Sequence, residues 1–251
     1  MQATCRLHDY VDYCLRKREL ELPCYELDSG RTYVRHFTNE PIYLFQYNCE
    51  HEKVRSQFVS CPSFLGDWFD KYLPIFRDST VYGHMHTWFF IGPKGTKSEM
   101  HADHDFIHTT IQQLDGTKRF FLLSPQDLIT AKKHLGEAFL KYVEFELITE
   151  NSCKIKSIKG SPDLSFFRDL EVFSGDIHKH ELVYLPNGWG HYAKSLSPSL
   201  SVSRDFIDET NIDLYFFSGV FLSATFERAK AVIEQQDLTK ILMEHELLQE
   251  A

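Results

Sequence analysis

Residues 86–127 constrain the fold more than any other stretch, because extended runs there are separated by very short turn signals. The runs 86–91, 108–114 and 118–123 are apolar or alternate apolar with polar, and Gly92, Gly95, Asp115-Gly116 and Ser124-Pro125 punctuate them. Alternation at period two marks a half-buried strand, and Gly and Pro mark its ends. The pattern returns at 181–185, 191–195 and 200–206. In the last run Leu200 and Val202 share one face while Ser199, Ser201 and Ser203 share the other. Many short strands joined this way require an all-β core, a barrel or a jelly roll.

Helical spacing appears outside that core. Leu7, Tyr10, Val11, Cys14 and Leu15 predict an N-terminal helix. Residues 41–47 read as a strand, and apolar positions from Pro62 to Leu73 as a short helix. Residues 128–139 read as helical, and the rest of 126–180 as irregular. Thr210 is placed to cap a helix from Asn211, and a second helix is predicted after Asp237. The expected organisation is therefore an N-terminal helical segment over 1–24, a β core over 25–210 and a C-terminal helical pair over 211–251. That pair either covers one side of the core or joins two copies of the chain.

The chain has 251 residues, enough for one elaborated domain or two small ones. Its 21 Phe and 12 Tyr point to an aromatic interior. Six Cys are scattered without a C-x-x-C and read as reduced thiols. No apolar run is long enough to span a bilayer, and the first residues lack the plan of a secretory signal. The expectation is a cytoplasmic or nuclear protein. A net charge of -9 argues against a general nucleic-acid binder and leans towards a basic partner, such as a Lys- or Arg-bearing peptide.

His101 and Asp103 lie one residue apart, so on a strand end they present an imidazole and a carboxylate on one face. His191, in Pro186-Asn187-Gly188-Trp189-Gly190-His191, completes a set of two His and one carboxylate. Such a set on one face of a metal leaves positions open, as in non-haem Fe(II) oxygenases. Alone, His-x-Asp is more often a surface turn or a hydrogen-bonded pair. Its order among other motifs gives it meaning: Ile91-Gly92-Pro93-Lys94-Gly95, Ser98, His101-Ala102-Asp103, Gly116-Thr117-Lys118-Arg119, then Trp189-Gly190-His191.

That ordered set resembles the Jumonji C (JmjC) family of 2-oxoglutarate oxygenases, most of all its small protein-hydroxylase branch, over residues 40–207. The resemblance implies a double-stranded β-helix of the cupin type. It implies Fe(II) on His101, Asp103 and His191, with 2-oxoglutarate and O2 as cosubstrates. Lys118 stands where the family meets the far carboxylate of 2-oxoglutarate, and Ser98, Tyr43 and Ser203 are further contacts. Many relatives carry an Asn on the strand where Thr109 and Ile111 stand here, so Thr109 takes the place of a cosubstrate contact. The family's Gly-Asp before the distal strand appears either as His180-Glu181 or as Gly175-Asp176. His104, His108, His178 and His180 match no ligand and read as supporting or surface residues.

The implied activity is hydroxylation of a Lys, Arg or Asn side chain of a protein. Demethylation of an N-methyl group, and a non-catalytic metal-binding cupin acting as an interaction protein, remain open. Lys118 and Ser98 discriminate, because a cupin without this chemistry has no need of a carboxylate clamp. The resemblance also implies dimerisation through the C-terminal helices. A peptide is expected across a mouth bounded by 126–180 and the Asn187-Gly188 turn, guided by Glu144, Glu146, Asp163, Asp169 and Glu171.

Overall fold

Period-two alternation commits each run of the core to one wall, with one face in and one face out. The computed structural model describes residues 3–15, 21–26, 32–36, 41–47, 87–140, 143–149, 152–157, 165–208, 210–211 and 214–215. Strands β1 (Ala3–Thr4), β2 (Glu21–Glu26) and β3 (Thr32–His36) form a small sheet, with helix α1 (Leu7–Leu15) between the first two. The core follows as β4 (Leu44–Tyr47), β5 (Thr87–Gly92), β6 (Lys97–His101), β7 (His108–Asp115) and β8 (Lys118–Leu123). Helix α2 (Pro125–Leu140) and the strands β9 (Val143–Thr149) and β10 (Ser152–Ser157) come next. The core closes with β11 (Val172–Ile177), β12 (Leu182–Leu185), β13 (Gly190–Ser195) and β14 (Ser199–Phe206).

One wall has the order β12-β7-β14-β5-β4 and the other β11-β8-β13-β6. All their pairings are antiparallel. From β5 to β8, and again from β12 to β14, successive strands alternate between the walls. That interleaving is a jelly roll, as the strand pattern required.

Between the walls lies an apolar layer of Ile111, Phe120, Ile177, Leu185 and Ala193, with Leu122 and Val183 against it. The serine face of β14 also points inward, and Ser199, Ser201 and Ser203 are buried. Buried hydroxyls are tolerable where they pair with one another. Ser201 donates to Gln113 Oε1 at 2.7 Å, Thr96 donates to Ser195 Oγ at 3.0 Å, and Ser195 meets Ser199 Oγ at 2.9 Å.

Helices and loops cover the outer faces. Leu128, Ala131 and Leu135 of α2 pack on Met100, Phe121, Leu123, Phe145 and Tyr192 outside the β11-β8-β13-β6 wall. Full burial of each Leu or Phe there is worth about 1.5–3 kcal/mol. Helix α1 lies by the other wall, with Tyr10, Tyr13 and Cys14 packed on Ile42, Leu44 and Ile91. The Tyr10 hydroxyl accepts from Leu44 N–H at 2.7 Å and sits 2.8 Å from the carbonyls of Ile42 and Ile91. That contact ties the helix to two strands. No described helix is long and apolar enough to cross a membrane.

Several expectations change. Helix α2 covers the expected 128–139, but the rest of 126–180 is not irregular: it holds the β9–β10 hairpin, a 3-10 turn at Ser165–Asp169 and β11. Phe166 and Leu170 of that stretch pack on the outer cluster, and Glu144 is paired with Lys97. Strand β11 runs straight through Ser174-Gly175-Asp176, a turn signal by composition. It pairs residue for residue with β8, and the Arg119 guanidinium grips Asp176 at 2.6 and 2.7 Å. Cross-strand pairing here outweighs local preference. Helix α2 is interrupted at Gly136, where φ is 70°. The Thr210 hydroxyl donates to Asp208 Oδ1 at 2.6 Å, and the N–H groups of 212 and 213 that it was expected to cap lie outside the described residues. The segment 62–73, the tail 216–251 and the joining of two copies through that tail lie outside the described residues.

The β7–β8 turn is the tightest test of this architecture. Gly116 has φ +77°, and a Cβ there would lie 2.0 Å from the Pro198 carbonyl oxygen. Gly116→Ala should lower stability by roughly 1–3 kcal/mol, read as a lower denaturant midpoint. An unchanged midpoint would mean that the turn and the Pro198 loop are not packed as described.

Candidate functional site

Strand register assembles the site. On β13, His191 stands opposite His101 of β6 on one side and Leu122 of β8 on the other. Phe173 of β11 is also opposite Leu122, so one row across the wall reads Phe173, Leu122, His191, His101. Three steps along β6, from Ser98 to His101, match two along β13, from Ala193 to His191. This extra residue is a bulge, and it brings Ser98 and His101 to the same face despite their odd spacing. Gly190 makes room behind His191: a Cβ there would meet Leu128 at 3.0 Å and the Met100 sulfur at 3.2 Å. The Trp-Gly-His sequence thus reflects the close approach of α2.

Among the described residues, His101, Asp103 and His191 place their ligand atoms within 4.8 Å of one another. Asp103 Oδ1 is 3.9 Å from His101 Nε2 and 3.8 Å from His191 Nε2, and the two rings are 4.2 Å apart. His101 Nδ1–H donates to the Glu99 carbonyl at 2.6 Å, which leaves its Nε2 lone pair facing Asp103. His191 Nδ1 makes a longer contact, 3.4 Å, to the Trp189 carbonyl. Burial pushes the His191 imidazole down from its ordinary value, against the pull of the Asp103 carboxylate and with the help of His101. Two imidazoles and one carboxylate whose ligand atoms lie this close are a donor set suited to a divalent transition metal.

A second cluster lies deeper on the same inner face. Lys118 sits four residues before Leu122 on β8 and is 3% exposed. Its Nζ donates to the Tyr43 hydroxyl at 3.0 Å and lies 5.3 and 5.5 Å from the ring centres of Phe90 and Tyr43. Ser98 is hydrogen-bonded to Tyr43. Burial raises the Tyr43 phenol, with the Ser98 bond acting the other way. No described carboxylate pairs with Lys118, and burial pushes its ammonium down to about 7. Ser203 is buried opposite Trp88 of β5 and Ile111 of β7. Of the residues expected to share the cosubstrate, Ser98 and Lys118 are thus joined through Tyr43.

Thr109 is placed differently. Its hydroxyl lies 2.8 Å from Asp103 Oδ2 and 3.1 Å from Asp205 Oδ1. Asp205 also accepts from Trp88 Nε1–H at 3.0 Å. Burial, then the negative charge of Asp103, pushes the Asp205 carboxyl up to about 7. Sequence reasoning passed over Asp205, although it continues the inward alternation of Ser199, Ser201 and Ser203. Phe90, Phe173 and Trp88 were also missed, since apolar residues on strands carry no distinguishing mark. Phe173 and Trp189, ring centres 5.7 Å apart, and an exposed Phe106 with φ 54° provide aromatic surface near the ligands.

With this geometry in place, the family follows. A family model described as a cupin-like domain matches residues 25–211, and the chain belongs to that family. The JmjC resemblance seen in the motifs holds among curated relatives as well. Jumonji C domain-containing protein 5 of Drosophila melanogaster is 30% identical over 115 residues, 45% of this chain and 26% of that one. Lysine-specific demethylase JMJ30 of Arabidopsis thaliana is 29% identical over 119 residues, 47% of this chain and 25% of that one. The 2-oxoglutarate and iron-dependent oxygenase JMJD4 of Danio rerio is 22% identical over 153 residues, 60% of this chain and 32% of that one. The chain therefore spans only about a quarter to a third of the length of these relatives.

His108 holds the turn that leads to His191. Its Nδ1 accepts from Asn187 N–H at 3.1 Å, and its Nε2 reaches Thr210 Oγ1 at 3.1 Å. Burial pushes its imidazole below the ordinary value, partly opposed by Asp208. The fold favours the neutral ring, so its contribution to stability is present above about pH 6.5 and lost as pH falls through the folded value. Thermal midpoints should drop on acidification below about pH 6.5. His108→Asn, which keeps an acceptor for Asn187, should start lower and drop less over that window. Parallel curves would locate the acid sensitivity elsewhere.

Proposed function

We propose that this chain is an Fe(II)- and 2-oxoglutarate-dependent oxygenase that hydroxylates a Lys, Arg or Asn side chain of a protein. The observation that carries the reading is Lys118, a buried amine with no described carboxylate partner, on the inner face that also bears His101, Asp103 and His191. An isolated buried charge is costly unless something pairs with it. A diacid whose far carboxylate meets Lys118 answers that cost, and JMJD4, among the relatives, is named for iron and 2-oxoglutarate.

The donor set fits iron. His101 and His191 offer neutral nitrogens and Asp103 a carboxylate oxygen, with room for other ligands. When bound, iron and 2-oxoglutarate supply the oxidising chemistry with O2, and the protein positions and shields them. Lys118, Tyr43 and Ser98 hold the far carboxylate, with Ser203 at hand on β14. Ile111, Phe120, Leu122 and Val183 keep water from the space between the walls. Phe106, Phe173 and Trp189 offer apolar contact to the stem of an incoming side chain, and the net charge of -9 favours a cationic one.

A second reading is demethylation, favoured by the relative named as a lysine-specific demethylase. It shares every residue above and differs only in product. Purified protein with 2-oxoglutarate should form succinate only when Fe(II) is present. Peptide arrays would then distinguish a stable hydroxylated residue from loss of a methyl group with release of formaldehyde. Absence of succinate under all conditions would leave a metal-binding interaction protein instead.

Asp103→Ala should abolish turnover and iron retention, because it removes the only charged ligand. Wild-type iron content in that variant would refute the triad. Lys118→Ala should weaken 2-oxoglutarate roughly ten- to a hundredfold, since a charged hydrogen bond is worth about 1.5–3 kcal/mol. Burial holds Lys118 largely neutral above about pH 7. Arrival of a carboxylate should restore the charge, so binding takes up a proton at pH 8 and affinity declines as pH rises. Calorimetry at pH 8 in buffers of different ionisation heat reads this directly. Identical heats would place the clamp away from Lys118.

A further inference from the structure

The carboxylate of Asp205 takes no part in the clamp or the triad, yet it reaches the triad through one atom. Thr109 and Asp205 are cross-strand partners on β7 and β14. The Thr109 hydroxyl lies between two carboxylates, 2.8 Å from Asp103 Oδ2 and 3.1 Å from Asp205 Oδ1. A hydroxyl has one hydrogen to donate. The shorter contact assigns it to Asp103. The 3.1 Å contact then sets two acceptor oxygens against each other unless Asp205 supplies a hydrogen. Trp88 Nε1–H occupies the other oxygen of Asp205, at 3.0 Å, and so leaves Oδ1 as the oxygen that donates. The two oxygens of Asp103 consequently differ: Oδ2 is held by Thr109, while Oδ1 is the one near both imidazole Nε2 atoms.

We propose that Asp205 and Thr109 are positioning residues of the metal centre: Asp205, as the neutral acid, donates to Thr109, and Thr109 donates to Asp103 Oδ2, so that Asp103 offers the metal Oδ1 alone. The proposal rests on the reading that the triad holds a metal. Its consequence concerns coordination number. A carboxylate that binds through one oxygen leaves three of six octahedral positions open, and one that binds through both leaves two. Two positions do not accommodate a chelating ketoacid and a third ligand together. Hydrogen-bond partners of metal ligands commonly have this orienting role, and their loss costs about 10–100-fold in metal affinity.

The test uses the 251-residue chain with Co(II), whose visible absorption reports coordination number, and needs no substrate. Thr109→Val removes the hydroxyl at nearly constant shape, and Asp205→Leu removes the donor. Both should weaken Co(II) roughly 10–100-fold and alter the absorption bands. Thr109→Ser keeps the hydroxyl. Asp205→Asn keeps a neutral donor to Thr109 and an acceptor for Trp88, so both should stay within a few-fold of wild type with unchanged bands. Wild-type affinity and bands in Thr109→Val would overturn the proposal. So would an Asp205→Asn variant that behaves like Asp205→Leu, since that would make the charge, and not the donated hydrogen, the active feature. Should Thr109→Val or Asp205→Leu fail to fold by circular dichroism, the two conservative variants decide the matter. A wild-type protein that takes up no Co(II), or a His191→Ala variant that takes it up as well as wild type, would instead overturn the metal-centre reading and this proposal with it.

Discussion

The register of β13 between β6 and β8 is the constraint on which the rest of the site depends. A slip of one residue would turn His191 outward under α2 and Tyr192 inward, because side chains alternate at period two. The outer face prevents that slip. Tyr192, Phe121, Leu123 and Met100 pack beneath Leu128, Ala131 and Leu135 of α2, and Gly190 lets the helix approach closely. Apolar packing on one side of the sheet thus sets the chemistry on the other. The bulge in β6 adds a local adjustment that plain alternation does not supply, placing Ser98 and His101 on one face.

The interior is unusually polar for the space between two sheets, and its parts are balanced in different ways. Thr96, Ser195, Ser199, Ser201 and Gln113 satisfy one another, so that layer costs little and stiffens one end. Among the described residues Lys118 meets a phenol and two aromatic faces, which offset part of the cost of burying a cation. Asp205 is accommodated by Trp88 and Thr109 and by a preference for its neutral form. The satisfied layer supports the fold. Within this interior, Lys118 and Asp205 lie where a ligand is proposed, consistent with stability being given up where binding is required.

Much of this was legible from residue order. The strand runs, their Gly and Pro boundaries, and the helix at Leu7–Leu15 follow from periodicity and turn chemistry, which act within a few residues. His101, Asp103, Lys118 and His191 stood out because ordered motifs link residues that no local rule connects. Strand β11 and the β9–β10 hairpin did not stand out. Ser-Gly-Asp reads as a turn, and Glu and Lys in β9 and β10 read as a solvated loop, until partner strands give their backbone groups somewhere to bond.

What the sequence by itself determined is therefore the inventory: an all-β core, two segments of candidate metal ligands far apart in the chain, and a lysine at the start of an apolar strand. Tertiary structure alone decided which of these residues meet. Thr109 reads in the sequence as a cosubstrate contact, and only cross-strand pairing shows that it also stands beside Asp205 with its hydroxyl 2.8 Å from Asp103. Tyr43 gained its place because its hydroxyl lies 3.0 Å from Lys118 Nζ, across 75 positions of chain. The physical reason is one of range. Propensity and alternation are properties of neighbouring residues, whereas a hydrogen bond between β7 and β14, or from Tyr43 to Lys118, exists only once sheets have paired and closed.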